Sequence, residues 1–325
     1  MSRSLAAARA VAVLAVLTGC GGLAPSSSPP TGGPERAEIT VGLLPIVDVA
    51  PVYLAIDRGL FADEGLTVTT ELVQGGAAAI PALVSGDLDI AYGNWVSFLL
   101  ANQEGIELQA IADGVAAAPG FTEFLALPAS GLEGNPAGLA GKTVAVNTLG
   151  NVGELAIRAV LRSASIDLAS VQLVEIPFPD MGAALERGDV DAIWASEPVP
   201  TIVKSTLDAV VVADSFAGGM EAFPVAGYQA TRAFTGANPR TVAAFQRALA
   251  AAAALIADDP TLVAGIVPRY TSLASDLASQ IALPRYGGQI DASILERVRD
   301  ELVAFEMLDV GMDTGSLVLA PTPPE

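Results

Sequence analysis

The sequence predicts an α/β protein made of two similar doubly wound lobes with a cleft between them. Residues 82–95 read ALVSGDLDIAYGNW and 184–198 read ALERGDVDAIWASEP, so Ala82, Leu83, Gly86, Asp87 and Asp89 recur 102 positions later as Ala184, Leu185, Gly188, Asp189 and Asp191. A match at that separation marks duplication of a domain-sized unit. Upstream of each copy comes a strand-like run, 39–44 and 143–147, then a helical segment, a second strand and the repeated helix. Both halves therefore read β-α-β-α-β, the order of a doubly wound lobe. Each copy also ends its strand in a polar and aromatic loop, Tyr92-Gly93-Asn94-Trp95 and Trp194-Ala195-Ser196-Glu197-Pro198, and two such loops suggest a shared crevice.

Within each copy an apolar helix runs into Gly, which takes the left-handed conformation that ends a helix, and Asp then opens a short buried strand. The apolar run 248–257 lies between Arg247 and Asp258 and is about half the length a bilayer requires. It reads as a buried helix.

The beginning of the sequence carries Arg3 and Arg9, an apolar run over 10–17, and then Leu17-Thr18-Gly19-Cys20. That is a secretory signal with too short an apolar core to remain as a spanning helix. Small residues before the one cysteine resemble a bacterial lipobox, so residues 1–19 are expected to be removed and Cys20 to carry lipid. No disulfide is then possible, and the roughly 290 residues beyond the linker suffice for two self-sufficient lobes. Residues 20–37 hold the lipidated cysteine and a Gly, Ser and Pro-rich tether, whose reach is roughly 20–25 Å as a flexible coil. These features place the protein on the extracytoplasmic face of a cell membrane, at the cell surface or in a periplasm.

Composition removes several classes of function. The formal charge is −20, or −22 once Arg3 and Arg9 leave with the signal, and there are two lysines, Lys142 and Lys204. A nucleic-acid partner would need clustered cations to neutralise phosphates, so none is expected. The absence of histidine excludes Ser-His-Asp and Cys-His catalysis and His-ligated metals. Residues 138–143, GLAGKT, imitate part of a phosphate loop, but Pro136 stands where its first glycine is required and the segment precedes a strand. No cofactor or metal is expected. Paired carboxylates could still hydrolyse a glycoside, with Asp48, Asp180 and Glu197 as candidates.

From 40 to 95 the sequence reads TVGLLPIVDVAPVYLAIDRGLFADEGLTVTTELVQGGAAAIPALVSGDLDIAYGNW. With Leu139-Ala140-Gly141-Lys142-Thr143, Gly188-Asp189-Val190-Asp191 and Glu197-Pro198, the order and spacing resemble solute-binding proteins of ABC importers of the nitrate/sulfonate/taurine type, which include binders of thiamine pyrimidine precursors. The resemblance, covering about 38–310, implies a type II periplasmic-binding fold whose two lobes are joined by a two-segment hinge. Lobe I would comprise 38–127 plus 226–325, with helices at 239–257, 260–270 and 292–307 packed on it. Lobe II would comprise 128–225. The crossings are expected at 124–128 and 223–230.

Ligands of open α/β sheets sit beyond the carboxyl ends of the strands, where helix N-termini present free N–H groups. That selects the loops 44–48, 74–77, 93–95, 148–153 and 195–198, with 177–180 as a sixth. The candidate ligand-binding residues are Pro45, Asp48, Gln74, Gly75, Asn94, Trp95, Thr148, Asn151, Asp180, Trp194 and Glu197. No basic residue lies between Arg58 and Lys142, and the first turn after 148–151 already contains Glu154, whose charge occupies the favourable helix field. Asp48, Glu197, Asn94, Gln74 and two tryptophans point to a neutral or cationic ligand, a nitrogen heterocycle over nitrate or sulfonate; Arg232 or Arg285 reaching the cleft would reverse that. The expected function is capture of a small polar metabolite by a monomeric, lipid-anchored, non-enzymatic receptor that delivers it to an ABC permease and ATPase. A ligand sensor without a transport role and an exported carboxylate hydrolase are the alternatives.

Overall fold

In the computed structural model, residues 32–217 and 220–319 are described. The expected signal, Cys20 and most of the tether lie outside them. The first half of the chain contributes β1 (Glu38–Leu43), α1 (Ala50–Asp57), α2 (Leu60–Asp63), β2 (Thr67–Leu72), α3 (Gly76–Ser85), β3 (Ile90–Asn94), α4 (Trp95–Gln103) and β4 (Leu108–Ala116). Next come β5 (Thr122–Ala126), β6 (Thr143–Val146), α5 (Val152–Ser163), β7 (Gln172–Glu175), α6 (Phe178–Arg187), β8 (Ala192–Ser196), α7 (Val199–Leu207) and β9 (Val210–Asp214). The chain returns through β10 (Pro224–Thr231), α8 (Arg232–Ala237), α9 (Pro239–Asp258), α10 (Thr261–Ile266), β11 (Arg285–Tyr286) and α11 (Ala292–Ala304).

Two mixed sheets result, ordered β11-β4-β10-β3-β1-β2 and β7-β6-β8-β5-β9. Each has a parallel triplet with its first strand in the middle, β2-β1-β3 and β7-β6-β8, and then an antiparallel strand contributed from the other half of the chain, β10 or β5. The repeat is thus a repeat of topology. Gly86 ends α3 with φ 82° and Gly188 ends α6 with φ 72°, the left-handed geometry that glycine adopts without steric cost.

The aspartates of the repeat tie each lobe together at the end away from the crevice. Asp89 accepts the N–H of Thr40 through its carboxylate (2.9 Å) and donates its own N–H to the Thr40 carbonyl (2.9 Å). Asp191 makes the same pair with Thr143, 2.9 Å each way. Each also meets a cation, Arg36 at 2.7 Å for Asp89 and Lys142 at 2.9 Å for Asp191. These carboxylates align a parallel strand pair whose ends would otherwise leave an amide unpaired.

The sheet pairing corrects the expected crossing points. Phe124–Ala126 form part of β5, paired to β8 and β9 in the second sheet, and Phe223 precedes β10, which is central in the first. The chain changes sheet between β4 and β5 and again between β9 and β10. The apolar runs at 124–128 and 223–230 fall mostly in the buried antiparallel strands β5 and β10, which apolarity alone does not distinguish from a buried linker. At the end of β9, Asp214 accepts the N–H of Gly120 (2.9 Å) and that of Phe216 (3.0 Å), one from each crossing.

Helix α9 is long and apolar enough to span a membrane by length and composition. Here Val242, Phe245, Ala248, Leu249, Ala252 and Ile256 are buried, with the helix packed on α1, α2 and β4. It is a core helix of the first lobe, as expected from its charged boundaries.

Candidate ligand-binding site

A crevice opens between the carboxyl ends of β1 and β3 in the first sheet and of β6 and β8 in the second. Its walls are Leu44, Ile46, Asp48, Gly76, Tyr92, Gly93 and Asn94 on one side and Asn147, Asn151, Val152, Phe178, Trp194 and Ser196 on the other. Thr122, Val225 and Ala226, from the starts of β5 and β10, complete it. Four of these positions, Gly76, Asn94, Asn151 and Phe178, begin or cap α3, α4, α5 and α6. Their dipoles converge on the crevice.

The first-lobe wall is built around a buried carboxylate. Asp48, 3% exposed, accepts the Tyr92 hydroxyl at 2.7 Å and, across the crevice, the Ser196 hydroxyl at 3.2 Å. Burial pushes its pKa up to about 6, against the lowering effect of those two hydroxyls. No lysine or arginine is among the wall residues. Arg232 bonds the Ser316 carbonyl elsewhere on the surface, and Arg285 is exposed outside the crevice.

The opposite wall is amide-rich. Asn151 caps α5 by accepting the Glu154 N–H (3.1 Å), and its amide donates to Asn147 Oδ1 (2.5 Å) and Thr148 Oγ1 (3.3 Å). Asn94 caps α4 by accepting the Ser97 N–H at 2.8 Å, which leaves its NH2 for the crevice. Trp194 donates its indole N–H to Ser215 (3.0 Å) and leans on Phe178, centroids 5.8 Å apart. The other support of the indole is Gly153 in the first turn of α5: a Cβ there would fall 2.6 Å from Trp194 Cε3.

The two walls are already in contact. Val47 N–H donates to the Glu197 carbonyl (2.8 Å), Asn147 Nδ2 to the Gln74 carbonyl (3.1 Å), and the Ser97 hydroxyl to the Gly150 carbonyl (2.8 Å). The crevice holds about 380 Å³ of space between protein atoms, its open mouth included. With these bonds joining its walls, the structure is a closed form.

Of the expected binding residues, Asp48, Asn94, Asn151 and Trp194 line the crevice. Pro45 lies between two wall residues, and Gln74, Gly75 and Thr148 meet at the rim, where a Cβ on Gly75 would come within 3.0 Å of Thr148 and Asn147. Three others face elsewhere. Trp95 is fully buried, edge-to-face on Phe98 at 5.5 Å, and Asp180 is exposed in the first turn of α6. Glu197, buried, accepts the Thr201 hydroxyl (2.8 Å) and N–H (3.2 Å) and the Ala282 N–H (3.2 Å); burial raises its pKa to about 7. Its carboxylate holds α7 and the 278–282 segment instead of facing the crevice. Tyr92, Thr122, Asn147, Phe178 and Ser196 are wall residues outside the expected set. Strand alternation from Asn94 and from Trp194 would have selected Tyr92 and Ser196.

Comparison with known proteins gives one family match: the family described as NMT1/THI5 like covers residues 46–262. The formylaminopyrimidine-binding protein of Halalkalibacterium halodurans is 26% identical over 159 residues, 49% of this chain and 47% of that protein. The taurine-binding periplasmic protein of Escherichia coli is 28% identical over 220 residues, 66% of this chain and 64% of that protein. The matches thus span less than two thirds of the length of either curated relative. Among solved structures, the alkanesulfonate-binding protein SsuA of Xanthomonas axonopodis, bound to MOPS, superposes with a TM-score of 0.76 at 18% identity, covering 88% of this chain and 99% of that one. The nitrate-binding protein NrtA of Synechocystis gives 0.75 at 15% identity, over 88% and 86% of the two chains. These structures share the fold.

Proposed function

The chain belongs to the NMT1/THI5-like family, and on that premise we propose that it is the extracytoplasmic substrate-binding component of an ABC importer, tethered by a lipid on Cys20. It captures a small polar metabolite between two closing lobes and hands it to a permease. The carrying observation is the crevice itself: two similar lobes meet over a lined space through one main-chain hydrogen bond, Val47 to Glu197, and two from side chains, Asn147 and Ser97. A ligand touching both walls favours this closed form by the excess of its affinity there over its affinity for the open form. Capture without covalent chemistry fits the carboxylates, since Glu197 is spent on α7 and only Asp48 faces the ligand space. A two-carboxylate hydrolase needs both at the substrate.

The walls support a reading of the ligand class. A buried acceptor, Asp48, with Trp194, Tyr92 and Phe178 around it and no cation opposite, suits a planar nitrogen heterocycle bearing N–H groups. The formylaminopyrimidine-binding relative supports that reading. The converging helix N-termini favour a second one, a zwitterion whose anionic end meets α4 and α5 while its ammonium meets Asp48, and the taurine-binding relative supports it.

Titration calorimetry of the purified chain against 4-aminopyrimidine, taurine, nitrate and methanesulfonate decides between them, with small-angle scattering on the same samples. Heterocycle binding with a reduced radius of gyration is expected. Taurine bound alone establishes the second reading, and turnover of any ligand, or no compaction with any, removes the receptor reading.

A further inference from the structure

Among the described residues, one fully buried polar atom of the crevice wall has no hydrogen-bond partner. Thr122 opens β5, is 1% exposed, lines the crevice, and its hydroxyl has no hydrogen-bond partner. A buried hydroxyl left unpaired is destabilising, so the position is explained by a partner that arrives from outside. Thr122 stands directly opposite Ser196 in the antiparallel ladder, and Ser196 reaches Asp48. The three side chains therefore form a row running from the crossing into the first-lobe wall. Valine fills the same volume as threonine and needs no partner, so shape alone does not call for the hydroxyl.

We propose that Thr122 is a specificity-determining residue: its hydroxyl donates to a ligand acceptor adjacent to the N–H group that Asp48 accepts. The inference rests on the heterocycle reading and refines it. A carboxylate that accepts and a hydroxyl that donates, at the two ends of that row, complement an edge in which N–H and a lone-pair nitrogen or carbonyl oxygen are neighbours. Amino groups beside a ring nitrogen have that edge, and so do lactams. Amines on a plain carbocycle have half of it. Sites that hydrogen-bond a substrate group discriminate strongly against analogues lacking it, because the buried partner is then left unpaired.

Two probes isolate the contribution. 4-Aminopyrimidine has a ring nitrogen beside its amino group, and aniline has the amino group without ring nitrogens. Calorimetry of the wild-type chain is expected to show 4-aminopyrimidine bound at least tenfold more tightly than aniline. Thr122→Val should bring that ratio close to one, mainly by weakening 4-aminopyrimidine, with an unchanged or higher melting temperature. Thr122→Ser, which retains the hydroxyl, should keep the preference. A preference that survives Thr122→Val, or that Thr122→Ser also abolishes, overturns the role of Thr122 and leaves the heterocycle reading standing. Wild-type binding of taurine with neither aromatic probe bound overturns the heterocycle reading and this inference with it.

Discussion

Asp48 carries both the chemistry of the crevice and a cost to the fold. Its folded pKa near 6, against an ordinary 3.8, means that between pH 4 and 6 the folded chain holds a proton the unfolded chain has released. Its contribution to stability therefore falls as pH rises through that window and levels off above about 7. Asparagine has no such dependence. In urea unfolding, the stability of the wild type relative to Asp48→Asn should drop by on the order of 2–3 kcal/mol from pH 4 to 7; a difference that stays flat with pH contradicts this assignment. At neutral pH the carboxylate is ionised and ready for a ligand N–H. Asp48 was legible in the sequence because a carboxylate just past an apolar first strand falls at the strand ends. Glu197 carried the same signal, yet its partners Thr201 and Ala282 take its carboxylate away from the crevice. Ala282 lies 85 residues away, beyond anything local spacing encodes.

At the scale of elements, α5 and β8 form one wall through a single close contact. Replacing a helical glycine by alanine ordinarily gains roughly 0.5–1 kcal/mol. At Gly153 the new methyl would meet the Trp194 ring at 2.6 Å, and overpacking costs typically about 1–3 kcal/mol, so the clash prevails. Gly153→Ala should lower the melting temperature and push the indole into the ligand space, weakening binding at least tenfold in calorimetry. Unaltered affinity would mean that Trp194 is not a ligand contact. The duplicated units were readable as elements because Gly86 and Gly188 must end their helices and the aspartates that follow must tie down a neighbouring strand. The antiparallel strands were not. β5 and β10 each join a sheet formed mainly by the other half of the chain, so their partners are non-local, and an apolar run such as 121–127 reads equally well as a buried linker. The two tryptophans divide for a related reason. Trp95 starts a helix whose phase turns it inward, Trp194 ends up in a strand whose face meets the crevice, and composition is blind to that difference.

For the whole molecule, the proposed role couples a folded body to a membrane. The proposed anchor is Cys20, and metabolic labelling with a tagged fatty acid should mark the wild-type chain and not Cys20→Ala, which should be released into the soluble fraction. Equal labelling of both removes the lipoprotein assignment without touching the ligand site. A tethered receptor meets its permease by local diffusion, which raises the effective concentration of the partner. What the permease must then recognise is a change of shape.

The two contacts of Asp214 determine what that change can be. One carboxylate grips an amide from each strand that passes between the lobes, so the passages are pinned side by side like two knuckles on one pivot. The Phe216 bond turns the chain as it leaves β9, and the Gly120 bond ties the first passage to that turn. Any opening of the proposed receptor would therefore have to carry both passages together.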